Sequence, residues 1–305
     1  MSRMEKPEKS FPLVLTILQP GAIVVLTIMF FSGVGVAHYL GGSLDWGRSV
    51  LACIGFYFLI WSRNFLRAYF DHPASPTSIL MSSHPHYQQL AAQKRSTLLT
   101  YALFALTGGA ALTVFVMVFN PFALPYFILV CLAAFACLAA AVPPLHLQRR
   151  GYGEIIEAIV VANIVPATAL VLNNGEIHGV LAMLTLPVMA LYLSCLLVFT
   201  LPDYWVDKKG GNPNLLNNLD WARSMKLHNI LVGSAFLSVA IFSISGLTWS
   251  LAWPMLLPLP LGVFQIAQML GIMNGAPPRW QILKWTAGAS LGLLAYLVFL
   301  TLWLH

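Results

Sequence analysis

Two aspartates four positions apart are the residues of this chain whose types and spacing point most directly to chemistry. Asp203 and Asp207 occur in the segment Leu-Pro-Asp-Tyr-Trp-Val-Asp-Lys-Lys-Gly-Gly. On a helix such residues share one face, with Cβ atoms about 5–6 Å apart, and the two carboxylates repel unless a cation lies between them. Magnesium prefers oxygen ligands and is commonly held by one or two carboxylates together with substrate phosphates. The pair therefore predicts a magnesium–diphosphate site, and the alternative is a solvated helix end.

An apolar stretch that ends near residue 71 carries a second acidic segment, Arg-Asn-Phe-Leu-Arg-Ala-Tyr-Phe-Asp. Asn64 and Asp71 are seven positions apart, which is two helical turns, so they share one face of the predicted helix. We expect Asp71 to belong to the same site as the aspartate pair. For Asn64 a second interpretation is equally open, since a buried asparagine commonly hydrogen-bonds to a neighbouring helix.

Basic residues accompany the acids at two places. Lys208 and Lys209 directly follow the aspartate pair, and Arg149 and Arg150 lie in a short glycine-containing loop. Arginines near carboxylates can anchor a diphosphate through paired N–H groups. Glu154 begins the next apolar stretch, where a carboxylate is also favoured simply by the dipole of the helix.

The composition determines the setting of these residues. Of 305 residues, 59% are apolar and only 9% are charged, whereas a soluble domain carries about a quarter charged residues. This excludes an ordinary soluble enzyme, a disordered chain and a nucleic-acid-binding domain, and the net charge of +6 is no nucleic-acid signature without a solvated basic face. The chain is predicted to be an all-α integral membrane protein in the lipid bilayer.

A helix needs about 20 apolar residues to cross a bilayer, and nine stretches meet this length. They lie near residues 13–38, 47–70, 96–118, 122–142, 153–172, 178–201, 227–248, 251–273 and 283–304. We expect a cytoplasmic tail over residues 1–11 and a single transmembrane domain over 12–305. All but one of the 16 Lys and Arg residues fall on one side of these spans. The positive-inside rule then places the N-terminus and the candidate site at the cytoplasmic face of the cell (inner) membrane, with the C-terminus outside.

Three segments resemble the UbiA superfamily of intramembrane prenyltransferases, and within it the MenA-like branch that prenylates dihydroxynaphthoate. Leu-Pro-Asp-Tyr-Trp-Val-Asp-Lys-Lys-Gly-Gly is similar to the second aspartate motif of the family, and Pro-Pro-Leu-His-Leu-Gln-Arg-Arg-Gly-Tyr-Gly-Glu to its stretch between helices four and five. The segment ending at Asp71 lies where the first motif, NxxNDYxD, is expected. The resemblance implies a nine-helix bundle, Mg²⁺ as cofactor, and a prenyl diphosphate and a lipophilic acceptor as substrates. It implies Asp71, Asp203 and Asp207 as catalytic and metal-binding residues, and as substrate-binding residues Asn64, Arg67, Tyr69, Arg149, Arg150, Tyr204, Lys208 and Lys209.

The first motif departs from the family pattern. Arg67 stands where an Asn is expected and Ala68 where the first Asp is expected. The chain thus keeps the second half of the site and loses acids from the first half. We expect one magnesium ion, held by Asp71, Asp203 and Asp207, with Arg67 as a fixed cation that replaces part of a missing metal.

The function implied is Mg²⁺-dependent transfer of an isoprenoid chain to an aromatic or other lipophilic acceptor, as in quinone biosynthesis. Trp61, Tyr69, Tyr204 and Trp205 could stabilise a carbocation through cation–π contacts, or could belong to an interfacial aromatic belt. One alternative is a terpene cyclase of the same superfamily, which ionises the diphosphate without an acceptor. The other is a non-catalytic member or a transporter. The sequence predicts no oligomeric state.

Overall fold

The computed structural model describes residues 18–71, 95–120, 122–210 and 214–304, without the side chains of Val206, Lys209, Gly210 and Asn217. The predicted N-terminal tail and the connection over residues 72–94 lie outside this part. The described residues form helices and turns with no strand. The helices are α1 (Pro20–Tyr39), α2 (Trp46–Asp71), α3 (Arg95–Val118), α4 (Ala123–Ala141), α5 (Gly153–Asn174), α6 (Gly179–Thr200), α7 (Tyr204–Gly210), α8 (Leu215–Asn218), α9 (Trp221–Ile244), α10 (Trp249–Met255), α11 (Leu259–Met273) and α12 (Trp280–Leu304).

Nine helical segments in this part of the chain are long and apolar enough to cross a membrane, which confirms the predicted number of spans. The eighth span consists of α10 and α11, and the sixth continues from α6 into a 3₁₀ turn, Leu201–Asp203. The chain is therefore a multi-pass membrane protein. The orientation of its termini stays a prediction.

Two span boundaries differ from the sequence prediction. The seventh span, α9, begins at Trp221 instead of near 227. Its first turns contain polar residues, so a boundary drawn from hydropathy leaves them out although they are helical. The eighth span was predicted as one helix over 251–273 but is interrupted between α10 and α11. Pro258 precedes the first residue of α11, and a proline cannot donate the backbone hydrogen bond that a continuous helix requires.

Close helix contacts depend on small residues, as expected where lipid removes the hydrophobic drive between helices. The helix α1 packs against α5 and α12, and α6 packs against α5, α9 and α12. A Cβ atom at Gly33 of α1 would overlap the backbone carbonyl of Pro166 in α5. A Cβ atom at Gly109 of α3 would lie 3.3 Å from the carbonyl oxygen of Gly55 in α2. These contacts hold α1 close to α5 and α2 close to α3.

Candidate active site

An ion-pair cluster lies at the end of α2. The Asp71 Oδ1 atom accepts a hydrogen bond from Arg149 Nε at 2.9 Å, and its Oδ2 atom lies 3.5 Å from Arg67 Nε. Arg149 also donates from Nη2 to the Phe70 carbonyl oxygen at 3.0 Å, which ties the turn after α4 to the end of α2. Each oxygen of the Asp71 carboxylate therefore faces an arginine side chain.

His146 adjoins this cluster from the same turn. It adopts a left-handed backbone conformation with φ 38°, and its buried Nε2 atom lies 3.8 Å from Asp71 Oδ1. Nε2 has no hydrogen-bond partner among the described residues. Burial lowers the pKa of His146; Asp71 opposes this shift, while Arg149 and Arg67 add to it. The lowered pKa favours the neutral ring, and the Asp71 carboxylate is paired with the two arginines.

The second acidic segment is built differently. Asp203 ends the 3₁₀ turn and Asp207 lies in α7, so the pair spans a change of helix type instead of one regular helix. Asp207 Oδ2 accepts a hydrogen bond from Asn214 Nδ2 at 2.9 Å. Asp203 is partly buried and makes no ion pair or hydrogen bond with other described side chains. Lys208 Nζ donates to Tyr204 Oη at 3.3 Å.

The turn between α4 and α5 connects the two acidic segments. Glu154 Oε2 accepts the backbone N–H of Leu215 at 3.3 Å, and the Asn218 side chain donates to the Arg150 carbonyl oxygen. Gly151 has φ +79°, and a Cβ atom there would overlap the Asn218 side chain, so glycine is needed for this close approach. Arg67 also interacts electrostatically with Glu154. Both segments and the turn thus form one continuous region at one end of the bundle.

An aromatic cluster adjoins the aspartate pair. The Tyr204 ring is almost fully buried, with ring centroids 5.0 Å from Trp205 and 5.2 Å from Trp221. Trp221 in turn contacts Trp280 edge-on at 6.1 Å. Lys208 Nζ lies 5.5 Å from the Tyr204 centroid. Aromatic rings therefore line the protein beside the aspartate pair.

A buried charged network lies deeper between α2, α5 and α6, and its charged members Arg63 and Glu157 were not among the predicted site residues. Arg63 Nη2 contacts Glu157 Oε2 at 3.0 Å, and Tyr192 Oη donates to Glu157 Oε1 at 2.9 Å. Arg63 also donates from Nε to Asn64 Oδ1 at 3.1 Å. The available signal was an arginine within an apolar span, since intramembrane charges pair and mark functional regions.

The π-helical turn Val160–Ile164 inside α5 places another polar contact at membrane depth. Asn163 accepts a hydrogen bond from Thr185 Oγ1 at 2.9 Å and donates to the Met189 sulfur at 2.8 Å. Turns of this kind are frequent at functional sites, and nothing in the sequence pattern indicated it.

No family sequence model matches the chain, and no curated protein matches it in sequence. Its structure is similar to that of a UbiA homolog from Archaeoglobus fulgidus bound to GPP and Mg²⁺, with a TM-score of 0.60 and 16% sequence identity. The match covers 95% of this chain and 99% of that chain. The chain has the UbiA fold.

Two further structures share the UbiA fold with this chain. A UbiA homolog from Aeropyrum pernix K1 has a TM-score of 0.60 and 13% identity, covering 92% of this chain and 97% of that one. A digeranylgeranylglyceryl phosphate synthase has a TM-score of 0.57 and 18% identity, covering 95% and 97%. The predicted UbiA resemblance is thus confirmed for the fold. The MenA-like branch stays a prediction.

The other predicted substrate-binding residues make contacts of their own, and their role in binding stays a prediction. Arg150 turns back on its own loop, with Nη2 3.4 Å from the Pro144 carbonyl oxygen. Asn64 belongs to the buried network around Arg63. The Tyr69 ring lies under the Arg95 guanidinium at 4.4 Å, in a separate apolar cluster of α2 and α3. The Lys209 side chain is outside the described part of the structure.

The predicted three-aspartate ligand group is not assembled. Among the described His, Cys, Asp and Glu side chains, no three are grouped as metal ligands. The physical reason at Asp71 is its pairing with Arg67 and Arg149, which uses both carboxylate oxygens. Asp203 and Asp207, in contrast, have the oxygen donors that suit Mg²⁺. Within the UbiA fold, the residues present fit one metal at the Asp203–Asp207 pair and do not fit a metal at Asp71.

Proposed function

We propose that this chain is a UbiA-type intramembrane prenyltransferase that moves an isoprenoid chain from a prenyl diphosphate to an aromatic or other lipophilic acceptor. One observation supports the proposal most directly. The turn before α5 connects the Asp203–Asp207 pair to the Asp71 cluster at one end of a UbiA fold. It is supported by the UbiA homologs from Archaeoglobus fulgidus, which are bound to GPP or DMAPP with Mg²⁺.

The reaction requires cleavage of the bond between C1 of the prenyl group and the diphosphate oxygen, which keeps the electron pair. Mg²⁺ held by Asp203 and Asp207 would supply neutralisation of the charge that develops on this oxygen. Lys208, one residue beyond Asp207, adds a fixed positive charge beside the leaving group.

The allylic cation left behind needs an environment without water and with aromatic faces. Tyr204, Trp205 and Trp221 form an aromatic cluster beside the aspartate pair, in which the Tyr204 ring is buried and Trp205 is exposed, and cation–π contacts stabilise positive charge when it is desolvated. An electron pair of the acceptor then forms the new bond to C1, and the acceptor loses a proton.

The membrane setting supports a lipophilic acceptor, because substrates of this kind can enter between helices from the bilayer. The positive-inside distribution supports a site at the cytoplasmic face of the cell (inner) membrane. A MenA-like role in quinone biosynthesis, with an aromatic acceptor, belongs to the same proposal. So does the single transmembrane domain over residues 12–305.

The test is diphosphate release by the purified full chain in nanodiscs, supplied with geranyl, farnesyl or geranylgeranyl diphosphate. We expect release that requires Mg²⁺ and a lipid extract containing the acceptor, and that is lost in Asp203→Asn. Asp220→Asn is the matched control, because Asp220 is an exposed acid near the same region whose ion pair among the described residues is with Arg223. Acceptor-free release of a cyclised hydrocarbon would replace the proposal by a cyclase. No release under any condition would favour a non-catalytic role.

A further inference from the structure

We propose that Arg67 and Arg149, held side by side by Asp71, bind the diphosphate in place of a second metal ion, so that the site works with one magnesium. The inference rests on the proposed function and names the chemistry of its first half-site. Asp71 is then a positioning residue for two guanidinium groups, and not a metal ligand.

The net charge of the Asp71 cluster favours an anion over a metal ion. Asp71 contributes −1 and Arg67 and Arg149 contribute +1 each, so the three ion-paired side chains together carry +1. A divalent cation placed at Asp71 would meet net repulsion. A diphosphate would meet net attraction, so the cluster suits the anion and not the metal.

The exposed fractions of the three side chains also favour an anion. The Asp71 side chain is 19% exposed, whereas Arg67 is 43% and Arg149 52% exposed. The acid is covered and the two cations are open. Arg67 approaches Asp71 through Nε and makes no hydrogen bond to any other described residue, so its two Nη groups remain available as donors. Guanidinium groups offer parallel N–H donors that match phosphate oxygens.

His146 adds a second, independent observation. Its residue is 8% exposed, and its Nε2 atom has no hydrogen-bond partner in the described part of the chain although it points toward Asp71 Oδ1 at 3.8 Å. A buried polar atom without a partner is costly unless a ligand or water satisfies it. A diphosphate oxygen at the cluster would accept from a neutral imidazole protonated at Nε2.

The position of Ala68 supplies no metal ligand to the first half-site. Ala68 is buried in an apolar cluster with Phe65, Leu66 and Leu98. The side chain one residue after Arg67 therefore packs against apolar neighbours, and only the Arg67 side chain reaches the Asp71 carboxylate from this turn of α2. The first half-site presents cations where a metal would require further carboxylates.

The experiment counts bound metal and measures diphosphate affinity separately. The full chain in nanodiscs is titrated with Mn²⁺ in the presence of inorganic pyrophosphate, with bound Mn²⁺ measured by electron paramagnetic resonance and pyrophosphate by calorimetry. We expect one Mn²⁺ per chain. We expect Asp203→Asn to lose the metal, and Asp71→Asn to keep it.

The arginine variants test the anion site itself. Arg67→Gln and Arg149→Gln should each keep one Mn²⁺ but bind pyrophosphate about 10- to 100-fold more weakly, as expected for a lost charge-assisted hydrogen bond. Arg67→Lys should restore part of the affinity, because it keeps the charge without the paired donors. The control is Arg223→Gln, an exposed arginine paired only with Asp220, which should bind as the wild type does.

Each contrary outcome has a definite meaning. Two Mn²⁺ per chain, loss of metal in Asp71→Asn, or unchanged pyrophosphate affinity in both arginine variants would overturn the one-metal inference and leave prenyl transfer standing. A wild-type chain that is folded by thermal unfolding but binds neither Mn²⁺ nor pyrophosphate would overturn the proposed function as well. Arg67→Gln keeps the test valid if Asp71→Asn does not fold, since Arg67 is the more exposed partner.

Discussion

The ends of α2 and α6 lie in one region of the bundle and both carry aspartates, but Asp71 and Asp203 differ in their partners. At the end of α2, Asp71 is enclosed by Arg67 and Arg149. At the end of α6, Asp203 has no cationic partner among the described residues and Asp207 is paired with the neutral amide of Asn214. A carboxylate whose negative charge is balanced by guanidinium groups attracts a further cation only weakly. The contrast supports the proposal that the second half-site holds the metal and the first half-site the anion.

A similar contrast exists between two arginines on one helix. Arg63 and Arg67 are one turn apart on α2, yet the Arg63 side chain is 5% exposed and Arg67 is 43% exposed. Arg63 pairs with Glu157, which also accepts from Tyr192. Arg63 therefore stabilises the packing of the helices, whereas the Arg67 side chain is accessible to a ligand.

The largest effect is expected from the second half-site. Asp203→Asn should lower diphosphate release about 1,000-fold, since a catalytic metal supplies several kcal/mol of charge stabilisation. Asp207→Asn should cost less, because the new amide can keep a hydrogen bond to Asn214. Release kinetics with geranyl diphosphate measure both variants. Equal loss in the two would show that Asp207 and Asp203 share the metal evenly.

The next largest effect separates the two arginines of α2. Arg63→Met should lower the free energy of unfolding by about 3–5 kcal/mol, because it leaves the buried Glu157 charge without its partner. Arg67→Met should change stability by less than about 1 kcal/mol, as is usual for exposed ion pairs. Unfolding in mixed micelles with increasing denaturing detergent measures both. Similar losses in the two variants would contradict the distinction.

A smaller effect should come from the turn that joins the half-sites. Gly151→Ala places a side chain at φ +79° and against Asn218, so we expect a loss of about 1–2 kcal/mol with weaker diphosphate release. Gly288→Ala in α12 is the matched control, since a Cβ atom there meets no other atom within 4 Å. Thermal unfolding and release are measured for both. A stable Gly151→Ala with unchanged release would show that the two half-sites act independently.

The features that could be predicted from sequence are the local ones. Nine spans follow from runs of apolar residues, and the Asp203–Asp207 pair follows from spacing within one segment. The pairing of Asp71 with Arg149 could not be predicted, because Arg149 is 78 residues away in sequence and reaches Asp71 only through the turn after α4. The interruption between α10 and α11 was missed because hydropathy measures only how apolar a segment is. It does not show that a proline has no backbone N–H to donate within a helix.

The smallest effect should be a pH dependence at His146. Its pKa is lowered by burial and by Arg149 and Arg67, against the opposing effect of Asp71. A group whose folded pKa lies below its ordinary value of 6.5 leaves stability intact above that pH and costs stability as the pH falls through the folded pKa. We therefore expect the melting temperature to fall on acidification below about pH 6.5, and His146→Gln to remove that part of the loss. Pyrophosphate binding should strengthen over the same range, because the charged imidazole adds to the cationic half-site. A wild type whose stability and pyrophosphate affinity fall together would place His146 outside the anion site.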